Sequence, residues 1–140
     1  NEYKATIVYV GSQMDAAIKE EDGVLNLTGK TTIAQLASVL KRCDLFISND
    51  SGPVHMAVAL GVPVISIFSR NQPGLSPKRW GPLGPSTKSV FLHKDIGCQI
   101  CLAHDCERDF ACLKAIAPHE VLAYVNTLLS KQENSSLRSS

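Results

Sequence analysis

The sequence predicts an α/β fold, a doubly wound parallel sheet with helices on both faces. Short runs of apolar, β-branched and aromatic residues alternate along the 140-residue chain with amphipathic windows of helix length, as they do in strand–helix–strand units. Hydrophobic residues form 44% of the chain and charged residues 19%, a balance that suits one globular domain with a buried core. Ligands of such a sheet bind beyond the carboxyl ends of its strands.

Each element is predicted from a local run of the sequence. Apolar runs rich in β-branched and aromatic residues predict strands, at residues 5–10, 24–27, 44–48, 64–68 and 89–92. Windows with apolar residues at helical spacing predict helices, at residues 14–20, 32–41, 53–60 and 118–130. In the second of these helices the predicted apolar stripe consists of Ile33, Leu36, Ala37 and Leu40.

The boundaries of these elements follow from local chemistry. Thr31 or Thr32 can cap the second helix, because a threonine hydroxyl accepts from a free amide of the first turn. The proline-rich residues 71–86 predict an ordered loop. Residues 1–130 are predicted to form one domain, and the polar residues 131–140 a flexible tail.

Charge and hydropathy exclude several classes of function. The net charge is +1 with scattered basic residues, so the chain lacks the footprint of a nucleic-acid-binding protein. No apolar run approaches the ~18 residues of a membrane span. Because no secretory signal pattern is present either, we expect a cytoplasmic protein.

Residues 49–63 are the most informative stretch of the chain. Pro53 suits the first position of a helix and Gly61 its end. The amides of Gly52, Val54 and His55 are then free to bind an anion at the positive end of the helix dipole. The alternative is simple capping, in which Asp50 or Ser51 satisfies these amides and no ligand is involved.

A second local feature is a cluster of cysteines. Cys98, Cys101, Cys106 and Cys112 lie within fifteen residues, in the spacing C-x2-C-x4-C-x5-C. Four thiols so close could bind structural zinc, with His93 or His104 as substitute ligands. The alternatives are reduced thiols, the ordinary cytosolic state, or disulfides formed on purification.

The motifs also carry a family resemblance. Residues 24–30 lead into 33–36, followed by the Asp-Ser-Gly-Pro-x-His core at 50–55 and the cysteine cluster. In this order, over residues 5–129, the chain resembles glycosyltransferase family 9, the ADP-heptose:lipopolysaccharide heptosyltransferases and their relatives. The likeness is to their carboxyl-terminal, nucleotide-sugar-binding domain, and it implies a Rossmann-like carboxyl-terminal half of a GT-B fold.

The resemblance implies roles for the residues that start the helix at 53. Asp50 accepts hydrogen bonds from sugar hydroxyls, since a carboxylate beside a phosphate is repulsive, while Ser51 and Gly52 donate to the diphosphate. His55 donates one ring N–H to a phosphate oxygen, or else it packs on the helix face with a local partner. The chain departs from the family after the strand that ends at Phe68, where Ser69 and Arg70 stand in place of a common glycine, and Arg70 could add positive charge toward the diphosphate.

Two further groups complete the predicted substrate site. Thr28, Gly29 and Lys30 do not form a P-loop, because Val24 stands where that motif needs glycine. They flank the nucleotide, or form a plain capped turn with a solvated lysine. Asp15 can accept from ribose hydroxyls, or it is a surface carboxylate.

The implied activity belongs to a longer protein. Such enzymes transfer heptose, or a related sugar, with inversion from an ADP-sugar to a lipopolysaccharide core acceptor. No metal or other cofactor is expected. The general base is expected in a missing amino-terminal domain, so we predict no catalytic residue here and a chain inactive by itself. The chain is further expected to lack this domain's first strand and helix, and to contact the bacterial inner membrane at most peripherally, at its inner face.

Two other hypotheses compete with this one. The chain could be a non-catalytic module, binding a nucleotide or interacting through its cysteine-rich segment. A serine hydrolase with Ser51 and His55 is a poor candidate, because the Gly-x-Ser-x-Gly elbow is missing. Trp80 is the only tryptophan, and it could stack on a sugar or base, or pin the proline-rich loop to the core.

Overall fold

The computed structural model describes residues 4–12, 22–70, 72, 74–82, 88–98, 101 and 106–136. The chain forms two compact units, Asn1–Val39 and Leu40–Ser140. The predicted helix at 14–20, and with it Asp15, lies outside the described residues.

In the first unit, strands β1 (Ile7–Tyr9) and β2 (Val24–Asn26) pair in parallel. Helix α1 (Ile33–Leu40) follows them, and its last residue, Leu40, is the first residue of the second unit. Thr32 is the capping threonine: its hydroxyl accepts from the Gln35 amide at 3.3 Å, and the Gln35 side chain accepts from the Thr32 amide at 2.9 Å. This reciprocal pair is a capping box, which satisfies two amides at the start of the helix.

The second unit contains the remaining elements. They are β3 (Phe46–Asn49), α2 (Gly52–Ala59), β4 (Val64–Ile67), α3 (Pro77–Trp80), β5 (Ser89–Leu92), α4 (Ala111–Lys114) and α5 (Pro118–Ser136). Strands β3, β4 and β5 pair in parallel in that order, which we call the β3–β5 sheet. The connection from β3 to β4 is α2, the strand–helix–strand unit that the sequence predicts.

The core of the second unit is built around the middle strand. Val64 and Ile65 of β4 are fully buried, and so is Phe68 directly after it. Helices α2 and α5 both pack against β4. From α2 comes the fully buried Ala57, and from α5 comes Leu128, which is 2% exposed. The apolar run at 64–68 is therefore a central strand covered by helices.

The structure corrects the predicted elements in four places. Ile33, predicted for the apolar stripe of α1, is 77% exposed, because it lies in the first turn while the buried residue Leu40 lies in the last. A short helix, α3, interrupts the predicted loop at 71–86, since Ser76-Pro77 starts a turn that Gly81-Pro82 ends. One turn, α4, was not predicted. Helix α5 runs to Ser136, beyond its predicted end at 130, through the helix-forming Lys131, Gln132 and Glu133.

Candidate functional site

The turn between β3 and α2 lies at the carboxyl edge of the β3–β5 sheet. The Asp50 amide donates to the Ile67 carbonyl at 3.0 Å, which extends the ladder one residue past β3. Ser69 and Arg70 follow the neighbouring strand β4 directly. The turns after β3 and β4 therefore lie side by side at the carboxyl ends of neighbouring parallel strands, where ligands of such sheets bind.

The start of α2 is not closed by a side-chain cap. Ser51 is the N-cap residue, with an extended backbone (φ −154°, ψ 158°) and no capping hydrogen bond from its side chain. Its hydroxyl instead lies 3.0 Å from the Ser48 hydroxyl. Simple capping by Ser51, the alternative to a ligand site, is thus not what the structure shows.

One amide that we predicted to be free is engaged. The Val54 N–H donates to the Ser51 carbonyl at 3.1 Å, because the first turn tightens into an i→i+3 bond. Space remains at Gly52, where an added Cβ would meet nothing within 4 Å. The exposed Asp50 precedes this open start of α2, and the half-buried His55 lies in its first turn.

His55 has a neighbour that the sequence did not predict. Its ring lies edge-on to the indole of Trp80, with centroids 6.4 Å apart and planes at 65°. The indole N–H donates to the Gly74 carbonyl at 2.9 Å. Helix α3 thus brings an aromatic ring beside the start of α2. Nothing in the local sequence around either residue signals this contact.

The predicted turn at 28–30 belongs to the first unit. Gly29 has φ +70°, a left-handed conformation that favours glycine, and its amide donates to the Gly11 carbonyl at 2.8 Å. The Lys30 ammonium donates to the Asn26 carbonyl at 3.0 Å, and the Thr28 amide donates to the Asn26 side chain at 3.0 Å. Asn26 therefore organises this turn, as asparagines at turns often do.

One polar atom of that turn is unpaired. The Thr28 hydroxyl oxygen is buried, with no hydrogen-bond partner among the described residues. Sequence reasoning placed Thr28, Gly29 and Lys30 beside a nucleotide, but it overlooked Asn26. The signal was available, because an asparagine at the end of a predicted strand is typical of a side-chain-supported turn.

Two of the cysteines lie at the end of β4. The thiols of Cys101 and Cys112 each lie 3.7 Å from the Ser69 carbonyl, and the Phe110 amide donates to the Cys106 sulfur at 3.2 Å. None of the five cysteines, all of them among the described residues, forms a disulfide bond. Within the described residues, no three His, Cys, Asp or Glu side chains are placed to hold a metal ion.

Burial controls the chemistry of Cys112. It is 8% exposed, and burial raises the pKa of its thiol, with smaller contributions in the same direction from Cys101 and Cys106. A raised pKa keeps this sulfur protonated and poorly nucleophilic at neutral pH. The Cys112 thiol is therefore suited to packing and to weak donation toward Ser69.

Comparison with known proteins defines the class. The model of glycosyltransferase family 9 (heptosyltransferase) matches residues 7–119. The chain belongs to this family of glycosyltransferases. It is 32% identical over 116 residues to lipooligosaccharide heptosyltransferase 2 of a Campylobacter jejuni O:2 strain, a match that covers 80% of this chain and 34% of that protein.

Two comparisons with Escherichia coli proteins also match heptosyltransferases. Lipopolysaccharide heptosyltransferase 2 of strain K12 is 28% identical over 129 residues, covering 88% of this chain and 34% of the relative. The solved structure of E. coli ADP-heptose lps heptosyltransferase II matches with a TM-score of 0.71 at 27% identity, covering 91% of this chain and 37% of that one. The chain spans about a third of the length of these relatives.

These matches confirm two of the predictions. The resemblance to glycosyltransferase family 9 is correct. The α/β fold class with parallel strands is correct too, and the share of the E. coli structure that is covered agrees with the expected carboxyl-terminal half of a GT-B fold. None of the helices in the described part of the chain has the length and apolarity needed to cross a membrane.

Proposed function

We propose that this chain is the donor-binding domain of an inverting glycosyltransferase that transfers heptose, or a related sugar, from an ADP-sugar to a lipopolysaccharide core acceptor. The observation that carries the proposal is the uncapped start of α2 at the carboxyl edge of the β3–β5 sheet, within the Asp-Ser-Gly-Pro-x-His core. Family membership supports it. So does the likeness to a solved structure whose description names ADP-heptose and lipopolysaccharide.

The chemistry assigned to this edge is stabilisation of the departing diphosphate. Transfer of the sugar leaves negative charge on the nucleotide, and fixed dipoles aimed at that charge lower the barrier. The Gly52 amide and the dipole of α2 are two such fixed dipoles. The Ser51 hydroxyl and a ring N–H of His55 supply others.

Asp50 has a different role in this proposal. Its carboxylate is exposed beside the same turn, and it would repel a diphosphate but accept from sugar hydroxyls. The acceptor hydroxyl needs a general base, which we assign to an amino-terminal domain of the whole enzyme. The chain would then act in the cytoplasm, at most peripherally at the inner face of the inner membrane.

The roles of the remaining predicted substrate-binding residues stay predictions. Thr28 and Gly29 lie in an ordered turn, and the Lys30 ammonium donates a hydrogen bond to the Asn26 carbonyl. That bond supports the alternative of a plain capped turn as well as it supports a nucleotide contact. The role of Asp15 as an acceptor from ribose hydroxyls is proposed from the resemblance alone.

Two-dimensional amide NMR of the 140-residue chain tests the donor site. We expect ADP, more than UDP or GDP, to shift the Gly52 and His55 amides. His55→Ala should weaken ADP binding about tenfold, the loss of ~1.4 kcal/mol. His119→Ala is the matched control, because His119 is exposed in the first turn of α5. A folded chain whose amides respond to none of these nucleotides would favour the non-catalytic interaction module instead.

A further inference from the structure

Trp80 is a large aromatic residue held at the edge of the proposed donor site. It is 44% exposed, and exposure of a single aromatic residue is by itself ordinary. Its position is what distinguishes it, because its ring meets His55 in the first turn of α2. The contacts proposed above for the diphosphate and for the sugar hydroxyls do not use this side chain.

The indole is fixed in orientation rather than loosely placed. Its N–H is committed to the Gly74 carbonyl, and the Arg79 guanidinium lies 5.4 Å from the ring centroid, within cation–π range. The turn beneath it is closed by the Gly81 amide, which donates to the Pro77 carbonyl at 2.8 Å. An added Cβ at Gly81 would lie 2.4 Å from that same oxygen, so this turn requires glycine.

We propose that Trp80 is a sugar-binding residue of the donor site, the apolar wall against which the transferred sugar ring packs. The inference rests on the proposed function, since it takes the diphosphate to lie at the start of α2. An oxygen bound by the His55 ring lies about 3 Å from its nitrogen. The group attached to that phosphate is then within reach of an indole centred 6.4 Å from the imidazole.

The covalent structure of an ADP-sugar indicates that the group facing Trp80 is the sugar rather than the adenine. In an ADP-sugar the pyranose is joined directly to the distal phosphate, whereas adenine is separated from it by the other phosphate and the ribose. One face of a pyranose is made of C–H groups, and tryptophan offers a broad apolar surface whose polar N–H is here already satisfied. Trp80 therefore recognises the sugar ring, and ADP alone gains little from it.

The test compares two ligands on one chain, because the difference between them isolates the sugar. Trp80 is the only tryptophan, so intrinsic fluorescence reports on this position alone. We expect ADP-heptose to change the emission and ADP to change it much less. Trp80→Ala should weaken ADP-heptose about tenfold and ADP less than twofold, with both dissociation constants measured by calorimetry. Trp80→Phe, which keeps an aromatic face, should recover most of the loss.

Tyr124→Ala provides the matched control. Tyr124 is a comparably exposed aromatic residue of α5, 39% exposed, and its removal should leave the ratio of the two affinities unchanged. An equal loss for ADP and ADP-heptose in Trp80→Ala overturns the proposal and places the indole against the nucleotide. Failure of the unaltered chain to bind ADP overturns the proposed function instead, and this proposal with it. If Trp80→Ala does not fold, the proposal is tested by the fluorescence titrations of the unaltered chain and by the affinities of Trp80→Phe for the two ligands.

Discussion

Lys94 and Glu120 form an ion pair between the segment after β5 and the first turn of α5. The Lys94 ammonium lies 2.7 Å from one Glu120 oxygen, and the two side chains are 42% and 32% exposed. The hydrogen bond from Lys94 holds the pKa of Glu120 below its ordinary value, with help from the charges of Lys94 and His119. Because solvent reaches both groups, the pair is a modest contribution to stability.

This lowered pKa predicts how stability depends on pH. A carboxyl group whose folded pKa lies below its unfolded pKa, about 4.3 for glutamate, stabilises the fold above that value. The contribution is lost as the pH falls through the folded pKa. We therefore expect Glu120→Gln to lower the free energy of unfolding at pH 7, and to have no such effect near about pH 2. Urea denaturation at both pH values measures this.

The control for that prediction is Glu107→Gln. Glu107 is an exposed glutamate with the same charge as Glu120. Its substitution therefore changes the net charge of the chain by the same amount without removing the ion pair. A loss of stability in Glu120→Gln that is equally large at both pH values would contradict the electrostatic explanation. It would point instead to packing of the Glu120 stem.

At the scale of single residues, the sequence predicted where a residue lies in a turn or helix better than it predicted which residues that residue contacts. The Asp50–Gly52 turn was predicted because Pro53 and Gly61 mark the ends of α2 locally. The contact between His55 and Trp80 was not predicted, because it joins residues far apart in the chain and depends on how α3 packs. The Val54 amide was misassigned, since whether a first turn tightens is decided by backbone geometry that composition does not encode.

At the scale of elements, α2 shows why its end could be predicted. Gly61 has φ +75°. Its amide donates to the Val58 carbonyl at 3.0 Å, and the Val62 amide donates to the Ala57 carbonyl at 3.0 Å. This pair of bonds is the Schellman motif, which closes a helix through a residue in the left-handed region. Such a position is specified almost entirely by one glycine.

A matched pair of substitutions isolates that conformational effect. An added Cβ meets nothing within 4 Å at either Gly61 or Gly52, and of the two only Gly61 has a positive φ. We expect Gly61→Ala to lower the free energy of unfolding by about 1 kcal/mol, the cost of a left-handed alanine. Gly52→Ala should lower it by much less. Denaturation in urea compares them, and equal losses would contradict the assignment to backbone strain.

The two elements that the sequence did not predict are both single-turn helices. Every predicted strand is present within two residues at either end, and so are α1 and α2. Helices α3 and α4 are four residues each, too short for an apolar period to develop. Their positions follow from a proline start and from a left-handed Phe110 before α4, signals that are weak without tertiary contacts.

At the scale of the whole molecule, burial is distributed unequally between the two units. The sequence predicted one domain over residues 1–130. In the first unit the paired strands remain exposed, with Ile7 at 50%, Tyr9 at 40% and Leu25 at 48%. Among the described residues, the buried apolar side chains all belong to the second unit, including Val64 and Ile65 of β4. An isolated pair of strands is marginal in water, whereas a helix-covered sheet with such a core can be stable alone.

This imbalance predicts independent folding of the second unit. A shortened chain of residues 31–140, which keeps the whole of α1, should give a dispersed amide NMR spectrum and a single cooperative transition in urea. Its dependence on urea should be shallower than that of the full chain, because less surface is exposed on unfolding. A peptide of residues 1–39 serves as the complementary control and should lack a cooperative transition. If residues 31–140 are instead unfolded, β1 and β2 are required for folding, and the chain is the single domain that its sequence predicts.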